Sequence, residues 1–512
     1  MPHLLEENLD IQYVPKGRGR RRFVRAGLVW GRRVMDLERG EIRRRLVVVL
    51  LLTMAGLAYT YQLGRTPLAA SEAYSALAAG QPSATQVADS ALSLDPGKPV
   101  LYHLMLHWFC RWAGLSEAGL RWLSVIFGVV SVLLVFGLGE DLFGYEVGLS
   151  AAVLWGFNPL AAVLARWARM YSMLIAFALG HLLALAKVRR GAGSAMALLA
   201  GVLGAAMLYV HFGAILIVGA DMLVIGRELR RTGKSRSWPA VAIACALFVP
   251  FLPLTIAQSR ALLFGHWMDW LGVRQQSRME MLLLGSVTGA IGLWLALGGS
   301  GSDDRRERLQ QCLIYALAPM LALGAGSALI RPMFEVRYVS PSFAILAVVA
   351  ACLLDRGGAR LRNLGTVAFG ALCLMLLPLC YAAPRDPWPA IAATIAGAAK
   401  PAEPIFFESG FFSPDGEVHS SDSEGFPQGF FRVPFDYYFH RNNPRAAVPA
   451  SQPATARKLI EARLGAAGGA WLVSARKWPE ATAELPRGPR LRIDYSGHFS
   501  RISVFHVKLL AG

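Results

Sequence analysis

A series of apolar runs constrains this chain more than any other feature. Each is close to the roughly 20 residues a helix needs to cross a bilayer core of about 30 Å. They occupy residues 46–63, 118–139, 147–164, 170–187, 195–210, 212–226, 238–257, 281–299, 311–330, 338–354 and 363–381. A soluble domain cannot bury so many such segments, so they predict a mostly α, polytopic membrane helical bundle of about eleven transmembrane helices. Residues 99–113 (PVLYHLMLHWFCRWA) are also apolar but fall short of spanning length. Against this apolar background, 52 Lys+Arg face 34 Asp+Glu, a formal net charge of +18. That balance alone would suggest nucleic acid, but the chain lacks the water-facing basic surfaces such proteins carry, and no nucleic-acid partner is expected. The six cysteines lie within apolar runs, with no CxxC pair or His/Cys cluster, so neither a disulfide framework nor a metal site is indicated.

Basic residues concentrate in cytoplasmic loops, and this sets the orientation. Residues 1–45, with Arg20, Arg21, Arg22, Arg25, Arg32, Arg33, Arg43, Arg44 and Arg45, form a basic cytoplasmic N-terminal segment. If 99–113 is an interfacial helix rather than a span, the basic loops at 187–190, 227–236, 305–308 and 356–362 all fall on that same side. The expected organisation is then a transmembrane domain over 46–381 with a long first external loop at 64–116. The composition changes after Tyr381. Pro384, Pro387 and Pro389 surround a helical stretch over 388–397, and short strand-like runs at 404–408, 470–474 and 501–508 predict a small α/β domain over 382–512, outside the membrane. The chain reads as a multi-pass protein of the cell (inner) membrane.

The external segments hold the residues with chemical potential. Glu72, in Leu68-Ala-Ala-Ser-Glu-Ala-Tyr-Ser75, lies just beyond the first helix, where a carboxylate would be either a general base or a solvated loop charge. Lys98 precedes the short apolar helix, within reach of lipid phosphates, whether an ordinary phospholipid or a substrate. Arg166 and Arg169, in ARWARMYS, are three apart and so expected on one face of a helix end, and they break the positive-inside trend. Basic residues on that side are better explained by an anionic partner than by topology. Arg337 and Tyr338, in RPMFEVRY, repeat the exception. His211 interrupts LYVHFG as either a structural histidine or a substrate contact. Tyr437, Tyr438 and the stretch Gly265-His-Trp-Met-Asp-Trp270 are either interfacial aromatics or the lining of an acceptor groove.

The ordered series SEAYS, KPVLYHLMLH, GLSEAGLRWLS, DLFGYEVGLSAAVLWGFNP, ARWARMYS, LYVHFGAIL, FVPFLPL and VRYVSPSFAIL resembles the membrane glycosyltransferases of the GT-C superfamily. The likeness is to bacterial protein O-mannosyltransferase-like enzymes (glycosyltransferase family 39-like) and to lipid A aminoarabinose transferase-like enzymes. It runs through nearly the whole chain after residue 45. The resemblance implies transfer of a sugar from a polyprenyl-phosphate carrier to a protein, lipid or glycan acceptor at the outer face of the membrane, with no cofactor beyond the lipid-linked donor. The family's Asp-Glu pair in the first loop is matched here by Ser71-Glu72, so the Asp is missing, and Trp167 stands where the family commonly has Glu. Asp89 and Asp95 are the other carboxylates of the loop.

Cleaving a sugar from a lipid phosphate requires neutralising the phosphate's growing charge and removing a proton from the attacking hydroxyl. On this reading Glu72 is the base. Lys98, Arg169 and Arg337 hold the phosphate, with Arg166, Tyr171 and Tyr338 beside them, and His211 and Asp95 are possible substrate contacts. Direct displacement would invert the anomeric centre. The rival functions are a transporter or flippase of lipid-linked sugar, and a non-catalytic binder of it.

Overall fold

The computed structural model describes residues 19–94, 98–257, 303–330, 334–382, 386–409, 411–412, 418–419, 426–449, 460–462, 464, 468–474, 491–499 and 502–509. The expected span at 281–299, the aromatic stretch at 265–270 and Asp95 lie outside these residues. The chain divides into two units, Met1–Thr53 and Met54–Gly512. The described part of the first is helical, and its exposed Arg45 pairs with Glu41 one turn away.

Helix α1 covers Gly19–Thr60. The long first loop is itself helical: α2 (Ala70–Ala79), α3 (Ala84–Leu94) and α4 (Leu101–Ala113). The 13 residues of α4 span about 20 Å, too short to cross a bilayer. One side of α4 is buried at Tyr102, Leu106 and His107, where the His107 Nδ1–H donates to Ala79 O at the end of α2 (2.8 Å). The other side exposes Trp108 and Trp112. This two-faced helix with aromatic rings on its free side suits a membrane interface.

The bundle proper follows with α5 (Glu117–Phe143), α6 (Tyr145–Gly156), α7 (Pro159–Ala165), α8 (Tyr171–Arg189), α9 (Ser194–Val210), α10 (Ile215–Thr232), α11 (Trp238–Phe248), α12 (Asp303–Leu329), α13 (Ser340–Arg356) and α14 (Ala359–Tyr381). Ser116 caps α5 by accepting from Gly119 N–H. Gly119 is required there, since a Cβ would lie 2.5 Å from the carbonyl oxygens of Ala113 and Gly114. Small residues also let α5 and α6 touch backbone to backbone: a Cβ on Gly139 would lie 2.8 Å from the Cα of Gly148.

Among the described residues six helices are long and apolar enough to span a membrane, or seven if one bent pair is counted, so the eleven expected are not reached. The run at 147–164 is not one helix. It breaks at Phe157-Asn158, where the Asn158 side chain caps α7 and Pro159 occupies its first turn, and the two pieces bend by 65°. The run at 195–210 yields a helix of 17 residues, and that at 212–226 begins with a short 3-10 turn at Phe212–Ala214 before α10.

The C-terminal residues form α15 (Trp388–Ala398), α16 (Phe426–Tyr438) and a five-stranded mixed sheet. Its strands are β1 (Ile405–Ser409), β4 (Arg445–Pro449), β5 (Gly469–Ser474), β6 (Leu491–Phe499) and β7 (Ile502–Leu509), in the order β4-β1-β5-β7-β6. The separate pair β2 (Phe411–Phe412) and β3 (Val418–His419) lies apart from it. β1 runs parallel to β4 and β5, and β7 is antiparallel to β5 and β6. Alternation along β5 feeds two cores. Trp471 and Val473 pack with Trp388, Ile391 and Phe435 on the helical side, while Ala470 and Leu472 pack with Ile460 and Phe505 on the other.

Candidate functional site

Glu72 occupies the first turn of α2 and is fully buried, as is the Arg121 guanidinium near the start of α5. Both carboxylate oxygens are occupied. Oε1 accepts from Arg121 Nε (2.8 Å) and Ala168 N–H (3.0 Å), and Oε2 from Arg121 Nη2 (3.0 Å) and Ala69 N–H (2.9 Å). Arg121 spends its remaining donors on Leu63 O, Thr66 O, Thr66 Oγ1 and Pro67 O. A carboxylate has about four lone-pair sites, and these four donors fill them. In this geometry Glu72 is thus held from both sides by the main chain and by Arg121. It fastens the first loop to α5 and to the turn after α7.

That turn carries the two arginines expected on one helix face. Helix α7 stops at Ala165, so residues 166–170 are not helical, and the side chains diverge. Arg166 donates to the carbonyls of Tyr59 (2.9 Å) and Tyr61 (2.5 Å) and lies over the Tyr381 ring, 4.5 Å from its centroid. It closes the end of α1 rather than joining the other cations. Arg169 instead reaches Ser71 O (3.0 Å) and Ser75 Oγ (3.5 Å) in α2. Its own carbonyl accepts from Ser124 Oγ in α5, which in turn meets the Tyr102 hydroxyl.

Beside Arg169 the fold gathers the remaining candidates. The short 3-10 turn Val336–Val339 leads into α13 and presents Arg337 and Tyr338. The Lys98 ammonium, buried ahead of α4, lies 4.9 Å from the Tyr338 ring centroid. The Arg337 guanidinium lies 5.4 Å from the centroid of Trp167, 5.5 Å from that of Tyr338 and 5.9 Å from that of Tyr171, and pairs with Glu335. The His211 ring stands between Tyr338 (5.2 Å) and Tyr171 (5.7 Å). It lies in the break between α9 and α10, with its Nδ1 accepting from Gly213 N–H (2.9 Å). That bond assigns the remaining ring proton to Nε2, which has no hydrogen-bond partner among the described residues. Burial, then the charges of Lys98, Arg169 and Arg337, hold the imidazole well below its ordinary pKa, so it is neutral and its free Nε2–H is a donor.

Lys98, Arg169, Arg337, Tyr171, Tyr338 and His211 thus converge. Arg166 does not join them. Lys98 is buried with an aromatic ring against it and no carboxylate partner among the described residues. Burying an ammonium is costly unless neighbouring groups compensate its charge. Among the described residues no group of three or more His, Cys, Asp or Glu side chains is placed to hold a metal ion. Tyr437 and Tyr438 have their hydroxyls committed to Leu115 O and Leu68 N–H of the first loop and to Glu117 at the start of α5. Sequence reasoning missed Arg121 and the platform role of Trp167. The signal for Arg121 was present: a lone cation inside the apolar run 118–139 needs a buried partner.

A bundle of broken apolar helices, a helical first loop and a mixed C-terminal sheet define a multi-pass membrane protein with the GT-C glycosyltransferase fold. Residues 97–256 match the family described as dolichyl-phosphate-mannose-protein mannosyltransferase. The structure is similar to that of ArnT from Cupriavidus metallidurans bound to undecaprenyl phosphate, with a TM-score of 0.60 and 13% identity over 90% of this chain and 97% of that one. The same protein in its apo state gives 0.60 and 14%. The oligosaccharyltransferase of Archaeoglobus fulgidus, crystallised with zinc and sulfate, gives 0.53 and 12% over 84% of this chain and 68% of that one. No curated protein sequence matches the chain.

Proposed function

We propose that this protein is a membrane glycosyltransferase that moves a sugar from a polyprenyl-phosphate donor to an acceptor at the outer face of the cytoplasmic membrane. The observation that carries this reading is the buried Lys98 ammonium, set beside Arg169, Arg337 and the Nε2–H of His211, with no carboxylate partner among the described residues. The fold likeness to ArnT, solved with undecaprenyl phosphate, supports the same ligand class.

On this reading the acceptor hydroxyl attacks the anomeric carbon, a new C–O bond forms there, and the bond to the phosphate oxygen breaks with inversion. The leaving lipid phosphate gains one negative charge as the bond breaks. Lys98, Arg169 and Arg337 stabilise that charge, and arginine suits it because its donors form a planar fork. Tyr171, Tyr338 and Trp167 orient the cations through their ring faces. Glu335 is the carboxylate we assign to take the hydroxyl proton, because it is partly exposed and its described contact is with Arg337 alone. The N-terminus is cytoplasmic and the C-terminal sheet lies outside. Residues 1–45, 46–381 and 382–512 serve as anchor, catalytic bundle and external domain.

The saturation of Glu72 supports a second reading, a non-catalytic binder of the lipid phosphate. Purified protein in lipid nanodiscs, given a panel of labelled polyprenyl-phosphate sugars and a membrane extract as acceptor, separates the two. Label appearing in a lipid, glycan or protein band supports transfer. Tight binding of the lipid phosphate without any transfer supports the second reading, and absence of both contradicts each.

A further inference from the structure

Helix α8 begins at Tyr171 in the cationic cluster and runs for 19 residues to Arg189, a rise of roughly 28 Å, so its far end lies about one bilayer core away. There the described residues outline a cavity of about 500 Å³, walled by the ends of α8, α10 and α12 and the connection between α10 and α11. Five of its lining side chains are basic (Arg189, Arg190, Lys234, Arg236 and Arg308), against three acidic ones. Two of those acids are committed. Glu228 pairs with Arg189 (3.0 Å) and accepts from Ser235 Oγ (2.6 Å), and Glu307 pairs with Arg231 outside the cavity lining (2.8 Å). The third, Asp304, is held loosely at 3.9 Å from Arg308. Lys234 has no ion-pair partner among the described residues, and the described bond of the Arg236 guanidinium is a long one to Arg189 O (3.3 Å).

The cavity wall is also rigid at its base. Arg189 donates to Ser237 Oγ (2.9 Å) and Tyr315 Oη (2.7 Å), and the Tyr315 hydroxyl donates to Asp221, which meets His181. Two residues beyond Arg236 stands Trp238, exposed at the start of α11, with Leu229 exposed nearby on α10. An exposed tryptophan between a basic segment and an apolar helix marks the headgroup layer of a membrane. The cavity therefore opens where lipid phosphates lie, with cationic donors on its walls and apolar Leu142 and Ala186 behind them.

We propose that this cavity is a second phosphate site, one that takes the phosphate of an anionic phospholipid headgroup at the end of the bundle opposite the cluster around Lys98. Lys234, Arg236 and Arg308 receive the phosphate, and the bound lipid ties together the ends of α8, α10 and α12. Basic pockets between membrane helices favour anionic over zwitterionic headgroups by charge. This site stands independently of the proposed transfer reaction.

The test uses the full-length protein in detergent and compares it with a Lys234→Gln/Arg236→Gln variant, both positions being exposed and Arg236 touching Arg189 only through a long bond to its backbone oxygen. Melting temperature and native mass spectrometry are followed on adding phosphatidylglycerol, phosphatidylcholine or inorganic phosphate. The expected result is an upward shift and retained lipid with phosphatidylglycerol, little with phosphatidylcholine, and at least a tenfold weaker phosphatidylglycerol effect in the variant. A phosphate response as strong as the lipid response, and lost in the variant, would assign the site to a soluble phosphate and overturn the lipid as its source. An identical phosphatidylglycerol response in variant and wild type, or an equal response to phosphatidylcholine, would overturn the proposal.

Discussion

At the scale of single residues, Glu72 stands both at a motif position and in a buried ion pair. Its position after the first helix and the resemblance both pointed to a base, yet its four acceptor sites are filled by Arg121, Ala69 and Ala168. Arg121 stood out as a charge in an apolar run, but which carboxylate it meets was not legible because Glu72 lies 49 residues away. Breaking a buried pair leaves one charge uncompensated, at a cost of about 3–5 kcal/mol. Glu72→Gln is therefore expected to lower the melting temperature and the yield of monodisperse protein, whereas a base would leave both intact and remove transfer alone. His211 yields a prediction in pH. Its folded pKa is depressed, so below about pH 6.5 the unfolded chain binds a proton that the folded chain refuses. The stability this contributes is present above that pH and is lost as pH falls toward the folded value. Thermal unfolding between pH 7.5 and 5.5 is expected to show a shallower decline in His211→Gln than in wild type.

At the scale of elements, hydrophobic runs located the helices and the break at His211 between 195–210 and 212–226, but not the break within 147–164. The signal at Asn158-Pro159 was visible as turn chemistry, but a criterion of length and hydropathy passes over it. These interruptions matter because they place side chains where a continuous helix could not. The first delivers, by way of α7, the turn holding Arg166 and Arg169, and the second delivers His211. The helical stretch at 388–397 and three strands emerged near their expected positions, while α16, β4 and β6 did not, since short polar-interrupted segments carry little periodicity. Helix α16 clamps the first loop: the Tyr438 hydroxyl accepts from Leu68 N–H (2.9 Å) and donates to Glu117 (3.0 Å). Tyr438→Phe removes both bonds and leaves their partners half-buried, a loss of about 1–3 kcal/mol. Limited proteolysis is expected to cut the first loop of that variant earlier than that of the wild type.

At the scale of the whole molecule, the net charge of +18 divides into populations with different work. The cations gathered around Lys98 stand at one end of the bundle, and those around Arg189 at the other. Most of the first group was legible because its members break the positive-inside pattern, although Arg166 breaks it too and turned out to brace α1. Which of them meet was not legible, because residues 98, 169, 211 and 337 come from four separate parts of the chain. On the proposed function, Lys98, Arg169 and Arg337 receive a lipid phosphate. The most direct test is binding of undecaprenyl phosphate, measured by native mass spectrometry, to wild type, Lys98→Ala, Arg337→Ala and, as a control at the opposite end, Lys234→Gln. Retention is expected in wild type and in the control, with at least tenfold weaker binding in Lys98→Ala and Arg337→Ala at unchanged melting temperature. Equal binding by all four proteins would contradict it.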